Sequence, residues 1–239
     1  MNDFKKLEGK KIALIGGAGF IGHNLAINLQ SLGAKVNIID GMQINNLLSL
    51  VDNVDNLPYP ELSNAIIYER TKLLKSADVD IRVQDARDYH ALSRLLTDIN
   101  PNIIIQLAAV SHANRSNKDP YSTFDHSFRT LENSLDWARS KDSNVEQFIF
   151  FSSSMVYGNF KSDQVDENSH CEPLGIYGAL KYGSEKIVIG YNQTFGLPYT
   201  IIRPSALYGE RCISRRVGQI FIENSLMGKE IVMSDQGRE

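Results

Sequence analysis

The run KIALIGGAGFIG, Lys11 to Gly22, constrains this chain most. A short apolar stretch rich in isoleucine breaks into three glycines spaced GxxGxxG, Gly16, Gly19 and Gly22, and then takes up a helical repeat. Ile12 to Ile15 suits a strand buried on both faces of a parallel sheet. Gly16 and Gly19 permit backbone angles and a close approach that a side chain would block, and Gly22 lets the following helix pack tightly on the strand. Such a helix points its unpaired N–H groups and the positive end of its dipole at a pyrophosphate.

The residues after Gly22 support a phosphate site. Ile21, Leu25, Leu29 and Leu32 recur at helical spacing, Gly33 is placed to end the helix, and Lys35 to Ile39 reads as a second strand. That strand ends at Asp40, 18 residues beyond Gly22. An acid there accepts hydrogen bonds from an adenosine ribose and repels a 2′-phosphate, which favours NAD over NADP.

The 239 residues, 42% hydrophobic, are enough to bury a full core as one large domain or one domain with a small appendage. A formal charge of −3 gives no bulk attraction to nucleic acid or to an anionic membrane. No apolar run approaches the ~20 residues of a membrane span, and the polar start MNDFKKLEGKK does not read as a signal peptide, so the cytoplasm is the expected compartment. Cys171 and Cys212 offer neither a metal-site spacing nor a disulfide framework, and no metal is expected.

From Gly41 to about Asp78 the periodicity loosens; part reads as a surface insertion, with a helix over Glu61 to Ser76. A third strand is expected at Val79 to Val83, ending at Asp85, then a helix from about Asp88 to Ile99 that Pro101 closes. Asn102 to Val110 reads as the fourth strand, Pro120 to Ser140 as one helix and Glu146 to Ser154 as the fifth strand. Ala108 and Ala109 are small where a cofactor would cross the strand ends, although core packing explains them equally well. Strands alternating with helices imply right-handed crossovers and an α/β, doubly wound parallel sheet, with ligands at the carboxyl ends of the strands. A helix over about Arg215 to Met227 and a short strand near Glu230 to Met233 complete the pattern.

The chemistry sits in FFSSSMVYG, Phe150 to Gly158, and IYGALK, Ile176 to Lys181. A helix starting after Pro173 puts Tyr177 and Lys181, four apart, on one face. A cation beside a phenol favours the phenolate and moves its pKa from about 10 toward working pH, as a general base requires. A strand-end hydroxyl, Ser153, can donate to the same substrate oxygen, although a serine triplet after a strand also serves as a turn or a helix cap.

With these motifs in hand, the chain resembles the extended short-chain dehydrogenases/reductases, the NAD-dependent epimerase/dehydratase family that acts on nucleotide sugars. GGAGFIG, the acid after the second strand, DARD from Asp85, QLAAV, FFSSSMVYG, YGALK and IIRPSALYGER match in order. The resemblance implies a Rossmann domain over 1–204, with 159–175 contributing to the substrate side, and the start of a small, incomplete substrate-binding part over 205–239. It implies Tyr177 as base, Lys181 as the ribose-holding and tuning cation, and Ser153 as their partner, with Ser154 an alternative or a substrate contact. Gly16, Gly19, Phe20, Ile21, Asp40, Asp85, Ala86, Leu107, Ala108, Ala109, Pro204 and Ser205 would line the NAD along with Tyr177 and Lys181. Arg211, Arg215 and Arg216 are the best candidates for the substrate diphosphate, because guanidinium pairs well with phosphate; Arg203 reads equally as structural.

The resemblance further implies a homodimer through the helices at Pro120 to Ser140 and Tyr177 to Gln193, although their apolar positions would serve as core too. Two departures matter. Ser127, preceded by His126, stands where the family usually has an asparagine supporting the lysine. Ser154 and Met155 stand where the 4,6-dehydratases carry Asp-Glu, and these side chains do not suit water elimination. The expectation is therefore a nucleotide-sugar 4-epimerase, acting by transient oxidation. A decarboxylase, dehydratase or reductase of the same family, or an NAD-binding homologue without turnover, are the alternatives. The chain also stops early for the family, as a fragment or a shortened homologue would.

Overall fold

Alternate residues of one five-residue strand set the two faces of the molecule. In β1 (Lys11–Ile15), Ile12 and Leu14 point into one apolar layer and Ala13 and Ile15 into the other, and all four are buried. The computed structural model describes residues 7–44, 46–48, 59–110, 113–161, 163–213 and 217–232. β1 pairs with β2 (Lys35–Asp40) on one side and β4 (Ile103–Gln106) on the other, both parallel. With β3 (Asp80–Val83), β5 (Gln147–Phe151) and β6 (Tyr199–Ile202) they form a six-stranded parallel sheet in the order β3-β2-β1-β4-β5-β6. The order reverses between β1 and β4, and a crevice opens at that switch point.

One layer beside the sheet is closed by α1 (Phe20–Ser31) and α2 (Pro60–Ser76), through Ala26 and Leu74 packed with Leu14, Val36 and Ile38. The other takes Leu92 and Leu96 of α3 (Tyr89–Ile99), Leu131 and Leu135 of a later helix, and Phe148 and Phe150 of β5. Each fully buried Leu, Ile or Phe contributes about 1.5–3 kcal/mol, so sheet and helices are held together mainly by these two layers. The helix expected over Glu61 to Ser76 is α2, and the one expected from Asp88 is α3, with Asp88 itself as the cap: its Oδ1 accepts from Ala91 N at 3.0 Å. Among the described residues no helix is long and apolar enough to cross a membrane.

The strand expectations are corrected at four places. β4 ends at Gln106, not Val110, because the N–H groups of Leu107 and Ala108 both donate to Ile15 O at 2.8 Å and bend the chain across the crevice. β5 likewise ends at Phe151, and Ser153 and Ser154 leave the ladder for a short 3-10 turn, Ser154–Tyr157. β6 is a sixth strand that the five-strand reading lacked. Glu230 to Val232 carry no strand, and Met233 lies outside the described residues.

The helix expected from Pro120 to Ser140 is interrupted. After a short α4 (Ala113–Lys118), α5 (Pro120–Phe124) gives way to a π-helical turn, Asp125–Arg129, and α6 (Thr130–Ala138) continues. At this turn Ser127 Oγ accepts from Val110 N at 3.3 Å, and Thr130 Oγ1 donates to His126 O at 2.9 Å. Such turns recur at functional sites, and here His126 and Thr130 line the crevice. The long α7 (Gly175–Phe195) follows Pro173, and α8 (Val217–Leu226) is the last described helix.

Candidate active site

The glycines do different work. Gly16 has φ +79°, and a Cβ there would lie 2.5 Å from Ala108 N, so it serves the bend where β1 meets the segment after β4. A Cβ on Gly22 would lie 2.3 Å from Gly17 O, so Gly22 serves helix-to-loop packing. A Cβ on Gly19 would meet only Gly16 O, at 3.7 Å. Nothing in the protein requires glycine at that position, yet it faces the crevice at the mouth of α1, where a side chain would fill the space a pyrophosphate needs. The first turn of α1 carries no acidic residue to oppose an anion.

Asp40, at the end of β2, accepts from Ala18 N at 2.9 Å and Met42 N at 2.7 Å, so it ties the glycine loop to its own strand end. Burial raises its pKa, against those two hydrogen bonds and the nearby Arg70 charge. Its carboxylate still faces the crevice, with acceptor capacity left for ribose hydroxyls. Asp85 is partly buried, which raises its pKa, but donors from Arg87 and Gln43 outweigh burial and hold the carboxyl down to about 2. Arg87 reaches on to Asp125 at 2.8 Å, joining this end of the crevice to the π-turn. Asn133 of α6 donates to Ala86 O and Arg87 O at 2.9 and 3.0 Å, fixing the backbone that Ala86 presents.

At the other end, Tyr177 and Lys181 stand one turn apart on α7 and Ser153 at the end of β5, all on the crevice wall. Ser153 is 8% exposed; its Oγ caps the 3-10 turn by accepting from Met155 N at 3.2 Å, and its hydroxyl proton remains available. Capping and catalysis are thus compatible in one side chain. Lys181 is buried, its Nζ donates to Phe151 O at 2.6 Å, and it lies 5.0 Å from the centre of the Phe150 ring. Burial lowers its pKa from 10.5 to about 8, and the Glu185 carboxylate opposes that fall. Its support therefore comes from the β5 carbonyl and not from the Ser127 position.

Every residue expected against NAD lines this one crevice: Gly16, Gly19, Phe20, Ile21, Asp40, Asp85, Ala86, Leu107, Ala108, Ala109, Tyr177, Lys181, Pro204 and Ser205. Their arrangement fits the cofactor. The expected substrate contacts fare differently. Arg211, at φ +64°, turns back onto α1, where its guanidinium donates to His23 Nε2 at 3.0 Å, Asn24 Oδ1 at 3.1 Å and Glu210 at 2.9 Å, so it does not line the crevice beside Tyr177. Ser154 is absent from the wall as well, its N–H donating to Pro204 O. Arg215 and Arg216 lie outside the described residues.

Sequence reasoning missed Gln43, Arg70, Ser152, His126 as a wall residue, and Thr130, all lining the crevice. Arg70 is 2% exposed and donates through Nε to Arg211 O at 2.9 Å; burial lowers its pKa to about 10. The available signal was an arginine among the apolar positions of α2, beside Ile67 and Leu74, which are also buried.

A doubly wound sheet, a glycine loop at its switch point and a Ser-Tyr-Lys set in the same crevice give the architecture of the short-chain dehydrogenase/reductase type. The family model of the NAD dependent epimerase/dehydratase family matches residues 12–239, and the chain belongs to that family. It is 29% identical over 232 residues to a putative UDP-glucose 4-epimerase of Methanocaldococcus jannaschii, covering 95% of this chain and 67% of that protein. It is 26% identical over 249 residues to a dTDP-D-glucose 4,6-dehydratase of Dictyostelium discoideum, covering all of this chain and 53% of that one. The UDP-glucuronic acid 4-epimerase of Bacillus cereus, solved with UDP-glucuronic acid and NAD, superposes with a TM-score of 0.76 at 25% identity, over 94% of this chain and 66% of that structure. The chain thus spans about half to two thirds of the length of the curated relatives it matches.

Proposed function

We propose that this protein is a nucleotide-sugar 4-epimerase, acting on a UDP-sugar. The observation that carries the reading is the convergence of Ser153, Tyr177 and Lys181 on the crevice that the glycine loop opens. NAD, when bound, accepts a hydride from the sugar and gives it back. Tyr177 takes the proton of the C4 hydroxyl, Ser153 donates to the same oxygen, and the Lys181 charge favours the phenolate. The ketone turns over in the site, and Tyr177 then returns a proton to the oxygen as the hydride arrives on the opposite face. Ala108 and Ala109 leave room for the cofactor across the strand ends, and the Pro204 and Ser205 segment borders its reacting end.

Ser154 and Met155 favour epimerisation over dehydration. Met155 is 40% exposed, and neither side chain supplies the acid and base that water elimination needs. Residues 1–204 serve as the NAD domain, 159–175 border the sugar, and 205–239 begin the substrate-binding part, with Arg215 and Arg216 as the candidates for the substrate diphosphate. A homodimer forms through the helical stretches at Pro120 to Ser140 and Tyr177 to Gln193, where Tyr121, Phe124 and Ile187 are exposed apolar side chains. The cytoplasm is the proposed compartment.

The test is mass spectrometry with chromatographic separation of UDP-, GDP- and dTDP-sugars incubated with the protein and NAD, with Tyr177→Phe as control. A new epimer of unchanged mass, formed without net NADH and lost in the control, is expected. Loss of water or carbon dioxide assigns a lyase of the same family, and no conversion despite saturable NAD binding assigns a binder without turnover.

A further inference from the structure

Tyr177, Lys181 and Glu185 come at four-residue steps on α7 and so share one stripe of the helix. Glu185 is 1% exposed, and a carboxylate so deep requires partners. It has them on two strand ends. Ser152 Oγ, immediately before Ser153, donates to Glu185 Oε1. Arg203, immediately before Pro204, donates through Nε to Oε1 at 2.9 Å and through Nη2 to Oε2 at 2.8 Å. Arg203 extends the set: its Nη1 donates to Tyr157 OH at 3.1 Å and to Glu167 O at 3.2 Å, and its guanidinium lies 5.0 Å from the centre of the Tyr157 ring. One buried carboxylate therefore joins α7, the ends of β5 and β6, the 3-10 turn and the loop ahead of α7.

We propose that Glu185 is a positioning residue for the hydride-transfer site: it clamps the strand ends that present Ser153 and Pro204 and sets its carboxylate one helical turn from Lys181. The proposal rests on the reading of Tyr177 and Lys181 as the working pair. Beside Lys181 stand Tyr177 and Glu185 on its own helix, the Phe150 ring and the Phe151 carbonyl of β5, and Ser153 on the same crevice wall. His126 lines the same crevice, and Arg203, just past β6, meets Glu185. Glu185 is the only carboxylate among these groups. Burial alone would leave Lys181 neutral at a lower pH, and Glu185 opposes this.

The experiment is an NMR titration of the ligand-free full chain carrying 13C-labelled lysine, with Lys181 assigned by its absence in Lys181→Met. Glu185→Gln removes the charge at nearly constant shape, and Lys181 is expected to titrate about one pH unit lower. Glu185→Asp, which keeps the charge, restores most of that shift. Once a sugar substrate is in hand, the alkaline limb of the kcat/KM profile moves with the titration, whereas a residue that only held the fold, without acting on Lys181, would lower the whole profile in place. An unchanged Lys181 titration in a folded Glu185→Gln protein overturns the proposal. If that variant does not fold, Arg203→Gln, at a side chain 18% exposed, removes the cation facing the same carboxylate; Lys181 then titrates at higher pH, and no change overturns the proposal. A wild-type protein that binds NAD but transfers no hydride contradicts the reading of the site and leaves the Glu185 result standing.

Discussion

Replacing Gly19 with alanine separates cofactor binding from folding. At φ −74° and ψ −175° the position is open to any residue, and the new methyl group would sit 3.7 Å from Gly16 O, an ordinary contact. Gly19 caps α1, and alanine is a poorer cap than glycine by some tenths of a kcal/mol. Alanine also loses less chain entropy on folding, by about 0.4–1 kcal/mol. The two effects oppose each other, so Gly19→Ala is expected to unfold within about 1 kcal/mol of the wild type. The methyl group occupies the space where the loop must approach the pyrophosphate, and NAD should bind at least about tenfold more weakly, a change of about 1.4 kcal/mol. Gly22→Ala behaves in the opposite sense. Its Cβ would lie 2.3 to 2.6 Å from the O, Cα and C of Gly17, all backbone atoms, and such overpacking costs about 1–3 kcal/mol. Thermal and urea unfolding beside calorimetric titration with NAD read both quantities. Unchanged NAD affinity in Gly19→Ala, or wild-type stability in Gly22→Ala, would refute the division of labour among the glycines.

Tyr177→Phe should bind NAD within a few-fold of the wild type while turnover falls by about 10²–10⁴, measured by epimer formation beside calorimetry. Lys181 has a folded pKa of about 8 against 10.5 when unfolded, so between those values the unfolded chain holds more protons. Its contribution to stability therefore rises as pH rises through that window, and urea unfolding should show the wild type gaining on Lys181→Met from pH 8 to pH 10. Turnover should fall over the same rise as the ammonium is lost. Asp88→Ala removes the cap of α3 and should cost about 1 kcal/mol in urea unfolding with NAD affinity unchanged.

The parallel sheet and the crevice were legible because local rules and tertiary packing agree there. The Ile12 to Ile15 run, the glycine spacing and the acid at position 40 each act through backbone geometry that sequence spacing encodes directly. The end of β4 was misread because apolarity continues through Leu107 to Val110, while the hydrogen bonds that end the strand come from elsewhere in the chain, at Ile15 O; β5 was carried through three serines whose departure into a 3-10 turn the local pattern does not mark. β6 was missed because Tyr199 to Ile202 is only four residues between two prolines, and its pairing with β5 makes it a strand. The π-turn was illegible for a similar reason: the partner that Ser127 finds in Val110 is not written in the local periodicity. Arg70 and Arg211 show the same limit at the site. Their chemistry was visible, but where they point depends on how α2 and the segment after β6 dock, and residues 49–58, 215 and 216 lie outside the described part.

Transient oxidation at C4, with the hydride kept inside the site, is the central claim, and the fate of a labelled hydrogen tests it most directly. A UDP-sugar deuterated at C4 is incubated with the protein and NAD in ordinary water, and the product is separated and its mass and label position are read. An epimer that keeps the deuterium at C4, with no label in free NADH, is the predicted result. Loss of the deuterium to water, its appearance at another carbon with loss of water, or its accumulation in NADH would contradict transient oxidation.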